Sequence, residues 1–93
     1  MIKQVQDYLK AHEEESLQTL IKVASQPSVS AQDIGVEDCC QLLTDLFAGF
    51  GVKAQILESP TKPAVFAQIR SKDPNAKTVL FYGHYDVQPA DPV

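Results

Sequence analysis

The stretch Gly83-His84-Tyr85-Asp86-Val87-Gln88-Pro89 holds the residues best suited to chemistry in this chain of 93 residues. His84 and Asp86 stand two positions apart. In an extended backbone both side chains therefore leave one face, and Tyr85 leaves the other. A neutral imidazole can give one ring nitrogen to a metal at about 2.0–2.1 Å. Its second nitrogen then carries a proton that needs an acceptor, and a carboxylate is the usual one. Asp86 is within reach of that role, and Gly83 keeps the approach clear of a side chain. The same two residues also suit a hydrogen-bonded surface pair. One His and one Asp make no closed metal site, because zinc takes three or four protein ligands. The other histidine, His12, falls in a charged stretch and reads as solvated.

The elements that must position this pair follow from the periodicity. Residues 78–82, Thr-Val-Leu-Phe-Tyr, are almost wholly apolar and lead straight into Gly83. Such a run predicts a strand covered on both faces, and functional groups in α/β sheets gather just beyond strand carboxyl ends. Residues 52–57 alternate and 64–69 contain Val65 and Phe66, predicting two more strands, with Pro60 and Pro63 bracketing the turn between them. A polar loop over 71–77 separates them from the last run.

Upstream, Ile2, Val5, Leu9, Leu17, Leu20, Ile21 and Ala24 recur at helical steps, predicting one amphipathic helix over 2–25. Glu13, Glu14 and Glu15 read as its solvated middle, with Lys10 placed to pair with Glu14. Pro27 ends it, since the residue before proline is pushed out of the helical region. Ser30 and Asp33 are both credible caps for a second helix running to about Gly49. Val36, Cys39 or Cys40, Leu42, Leu43, Leu46, Phe47 and Phe50 form its apolar stripe, and Gly51 suits the left-handed residue that closes a helix. The expected fold class is α/β, with two N-terminal helices and three strands. Connections this short favour antiparallel pairing.

Composition bounds the partners. A net charge of −4 without clustered Lys and Arg argues against nucleic acid. No apolar run approaches the length of about 18 residues that a membrane span requires. The N-terminus has no apolar stretch ahead of a small-residue cleavage site, so no secretory signal is expected. Cys39 and Cys40 are adjacent and cannot form an ordinary bridge, which fits free thiols in a reducing compartment, and cytoplasm is the expected location. The two thiols read as helix packing, Ser28 and Ser30 as turn and capping residues, and Tyr82 and Tyr85 as candidate substrate contacts, with core the favoured reading of Tyr82.

The segment Val79-Leu80-Phe81-Tyr82-Gly83-His84-Tyr85-Asp86-Val87-Gln88-Pro89-Ala90-Asp91-Pro92 resembles the first metal motif of the co-catalytic zinc exopeptidases. That family includes carnosine-type cytosolic dipeptidases, aminoacylases, acetylornithine deacetylase and succinyl-diaminopimelate desuccinylase. Tyr85 and the Gln88-Pro89-Ala90-Asp91-Pro92 ending look closest to the dipeptidase branch. Gln26-Pro27-Ser28-Val29-Ser30 is similar to the family's proline-serine-valine-serine turn, so the likeness runs through essentially the whole chain.

The resemblance implies that His84 is a zinc ligand and Asp86 the catalytic-site carboxylate that orients it. It further implies two zinc ions per complete site, an activated water, a carboxylate base and short peptides as substrate. The family's remaining ligands and its base lie downstream of this motif. Residues 1–93 are then expected to be the N-terminal part of a peptidase domain, truncated at the C-terminus, inactive alone and prone to homo-oligomerise. N-acyl amino acid deacylation on the same fold, or a non-catalytic binding or dimerising module, are the alternatives.

Overall fold

The computed structural model describes residues 1–89. The motif residues Ala90, Asp91 and Pro92 lie outside that range. Three helices, a 3-10 turn and a two-stranded antiparallel sheet make up a small mixed α/β unit: α1 Ile2–Ala11, α2 Glu13–Ser25, the turn Ser30–Gln32, α3 Val36–Gly49, β1 Gln55–Leu57 and β2 Ala64–Phe66.

The single helix expected over 2–25 is two. His12 leaves helical geometry at φ −113° and ψ 21°, although its own N–H still donates to the Tyr8 carbonyl at 3.0 Å. His12 Nδ1 donates to the Tyr8 carbonyl at 2.8 Å, and the two rings stack with centroids 3.9 Å apart. Glu13, Glu14 and Glu15 therefore form the first turn of α2, where the helix dipole favours negative charge, rather than a mid-helix face. Glu14 accepts from Gln18 Nε2 at 3.0 Å. Among the described residues, no ion pair joins it to Lys10.

The second helix also starts later than its polar residues suggest. Neither Ser30 nor Asp33 caps it. Gly35 does, in left-handed geometry at φ 70°, and its carbonyl receives the Cys39 N–H at 2.9 Å. A Cβ at Gly35 would lie 2.2 Å from the Pro27 carbonyl oxygen, so glycine is what lets α3 start against the end of α2. The other end follows expectation. Gly51 sits at φ 77°, and the backbone N–H groups of Gly51 and Val52 return to Ala48 and Phe47 at 2.9 Å each.

β1 and β2 pair antiparallel in the register Gln55 with Phe66, Ile56 with Val65 and Leu57 with Ala64. They pack on α3, which also receives α2. The buried residues are few: Val36, Cys39 and Cys40 on α3, and Ser28 ahead of it. Both cysteines are free thiols. Phe50, expected in the core, is exposed.

The expected third strand is absent among the described residues. Residues 78–82 have no ladder partner, and Val79, Leu80, Phe81 and Tyr82 are 73%, 80%, 91% and 83% exposed. A strand needs a neighbour for its N–H and C=O groups and a face to cover its side chains. Neither lies over this run, so Tyr82 is a surface residue and not a core one. The accessible surface of 8347 Å² exceeds the roughly 5,300 Å² expected for a compact protein of this mass. No helix among the described residues is long and apolar enough to cross a membrane.

Candidate functional site

Two short segments far apart in the sequence build the site. Ser28-Val29-Ser30 leaves α2 at Gln26, which is extended at ψ 119° ahead of Pro27. Val29 and Ile34 exchange backbone bonds of 2.8 and 3.1 Å, closing a tight loop around the 3-10 turn. The segment ending in Val87 lies parallel to this loop. Val29 and Val87 form a bridge, and Val87 N–H donates to the Ser28 carbonyl at 2.8 Å. The pairing fixes the backbone directly after Asp86.

Alternation then sorts the side chains. Tyr85 turns toward α3 and β2. Its hydroxyl donates to the Pro63 carbonyl, and its own carbonyl accepts from Cys39 Sγ at 3.9 Å. Burial, reinforced by the neighbouring Cys40, pushes the Tyr85 phenol up to about 12. Burial likewise raises the Cys40 thiol above its ordinary value. Tyr85 thus anchors this segment, and it also lines the cleft beside His84 and Asp86.

His84 and Asp86 leave the other way and face each other, with His84 Nδ1 3.4 Å from Asp86 Oδ1. The imidazole is 74% exposed, and Tyr82 touches it edge-on at a centroid distance of 5.7 Å. Asp86 is half-buried and carries a second partner that sequence reasoning assigned only to turn duty. Ser30 Oγ donates to Asp86 Oδ2 at 2.6 Å. That hydrogen bond first, then the backbone and His84, hold the Asp86 carboxyl below its ordinary value. The only signal for it in the sequence was the hydroxyl in Pro27-Ser28-Val29-Ser30, and no local pattern linked it to a residue 56 positions away.

The pair opens on a cleft of about 830 Å³, lined among others by Val36, Phe47, Lys62, Pro63, Phe81 and Tyr82. Lys62 at its rim is paired with Asp33 at 2.6 Å. His12 lies on the α1–α2 break, stacked on Tyr8, and is not among the residues lining this cleft. Among the described residues, no three His, Cys, Asp or Glu side chains converge as a metal cage.

Comparison with known proteins points one way. Over 98% of its length, the chain is 32% identical to Beta-Ala-His dipeptidase of Homo sapiens. It spans about a fifth, 21%, of that relative's length. The likeness is to part of a dipeptidase and so to a hydrolase. No family model matches the chain, and no solved structure does.

Proposed function

We propose that this chain contributes one corner of the metal site of a dipeptidase-type hydrolase that cleaves short peptides, His84 being a zinc ligand and Asp86 the carboxylate that sets its tautomer. The observation carrying the reading is the exposed imidazole with a carboxylate at its Nδ1 side. A carboxylate only accepts, so it favours the proton on Nδ1 and leaves the Nε2 lone pair for a metal. The distance of 3.4 Å is long for a hydrogen bond, as pairs of this kind often are before the site is engaged. The donor set fits a zinc corner and no more than a corner, because one imidazole leaves two or three positions to be filled.

When bound, zinc supplies Lewis acidity toward a peptide carbonyl and acidifies a water. The residues of this chain do the holding. His84 offers one nitrogen, Asp86 keeps the ring proton on the other, and Tyr85 fastens the backbone between them to Pro63. The relative's name suggests β-alanyl-histidine as the first dipeptide to assay.

Zinc titration of the chain, followed by isothermal calorimetry, tests the reading. Weak binding that disappears in His84→Ala supports it. Binding unchanged in His84→Ala overturns it. The chain alone should not hydrolyse β-alanyl-histidine with zinc present, and measurable turnover would refute the one-corner view.

A further inference from the structure

We infer that Ser30 is a positioning residue for the His84–Asp86 pair, its hydroxyl clamping one carboxylate oxygen so that the other faces His84 Nδ1. The inference rests on the proposed reading of His84 as a metal ligand and names a residue that reading does not require. Asp86 has two oxygens, and the carboxyl torsion of an aspartate is broad. Alone, a half-buried carboxylate could turn its acceptors toward solvent. Ser30 Oγ holds Oδ2 at 2.6 Å, a length in the strong range for a hydroxyl on a carboxylate. With Oδ2 held, the remaining oxygen is the one that faces His84.

The donor is itself rigidly placed. Ser30 opens the 3-10 turn, directly after the residue that bridges Val87. The Val29–Ile34 exchange closes the loop behind it, and Val87 N–H ties the strand of Asp86 to the Ser28 carbonyl. These backbone bonds hold the two segments together without help from the Ser30 side chain. Its hydroxyl is therefore free to act on orientation rather than on docking. That division separates the inference from a merely structural role: a tie alone would alter stability and leave the ring chemistry of His84 as it was.

The test is nitrogen NMR of the His84 ring in the metal-free chain, in wild type, Ser30→Ala and Ser30→Thr. The wild type should show the Nδ1-protonated form. Ser30→Ala should move the ring toward the Nε2-protonated form, and Ser30→Thr, which keeps the hydroxyl, should restore it. In the zinc titration, Ser30→Ala should weaken binding by about 10-fold, the low end of what losing an orienting partner costs. A His84 ring signature identical in wild type and Ser30→Ala overturns the inference. Should Ser30→Ala fail to fold, Ser30→Cys keeps the volume with a weaker donor and should give the same shift. The ring signature is read without metal, so it is independent of the His84→Ala titration, which judges the metal reading by itself.

Discussion

Replacing Gly35 by alanine should strongly destabilise this protein, and the size of the effect can be worked from its surroundings. Gly35 sits at φ 70°, where an L-residue loses about 1–2 kcal/mol. The new Cβ would also lie 2.2 Å from the Pro27 carbonyl oxygen and 2.8 Å from its carbon. Both are backbone atoms, so no side-chain rotation relieves the contact. The Pro27–Ser28 backbone must withdraw instead, straining the Val29–Ile34 pair and the Val87 bond to Ser28. Losing two of these three bonds costs about 1 kcal/mol each. The total is about 3–4 kcal/mol, a large part of the roughly 5–15 kcal/mol that holds a typical domain together. Urea denaturation followed by far-ultraviolet circular dichroism reads it directly. Gly49→Ala is the control: it lies in α3 with open space around it and should be neutral or stabilise by up to about 1 kcal/mol. A Gly35→Ala midpoint within about 1 kcal/mol of wild type would refute the argument.

Three further outcomes are expected. Ser28 Oγ is buried without a hydrogen-bond partner among the described residues, so Ser28→Ala should stabilise by about 1 kcal/mol in the same denaturation assay. Stability should fall at alkaline pH. The folded state raises Cys40 above the ordinary thiol value of 9.0 and Tyr85 from 10.0 to about 12, so both contributions are complete below those ordinary values and lost as pH climbs through the raised ones. Cys40→Ala should remove the first part of that fall in urea midpoints measured from pH 8 to 11. The exposed run Val79 to Tyr82 should drive self-association of the chain. Light scattering should show mass rising with concentration, and Phe81→Lys should reduce it; a monodisperse wild-type monomer at high concentration would contradict this.

Much of the local structure was legible because it depends on neighbours in sequence. The stripe from Val36 through Leu43 gave α3, Pro27 gave the end of α2, Gly51 the left-handed close, and short connections the antiparallel β1–β2 pair. The failures share a cause. Gly35 was passed over in favour of Ser30 and Asp33 because capping preferences register hydroxyls and carboxylates, whereas its value lies in a contact with Pro27 that only the fold creates. The break at His12 involves neither proline nor glycine, so no residue type flags it; the His12 ring and N–H both bond the Tyr8 carbonyl there. The run at 78–82 has the composition of a covered strand, but pattern alone cannot supply the surface that covers it. At the site, the two-residue spacing placed His84 and Asp86 on one face and Tyr85 on the other, as the structure has them. Ser30 was invisible as a partner because its tie to Asp86 spans most of the chain.

The bridge between Val29 and Val87 has a consequence for biogenesis. The imidazole can be aimed only after Val87 has been made, since the loop that steadies its carboxylate comes more than fifty residues earlier and must wait for it. An internal initiation event or a protease cut just beyond residue 30 would leave a polypeptide that still contains His84 and Asp86 yet lacks the Ser28–Ser30 segment that steadies the carboxylate. Its histidine motif would read as unchanged.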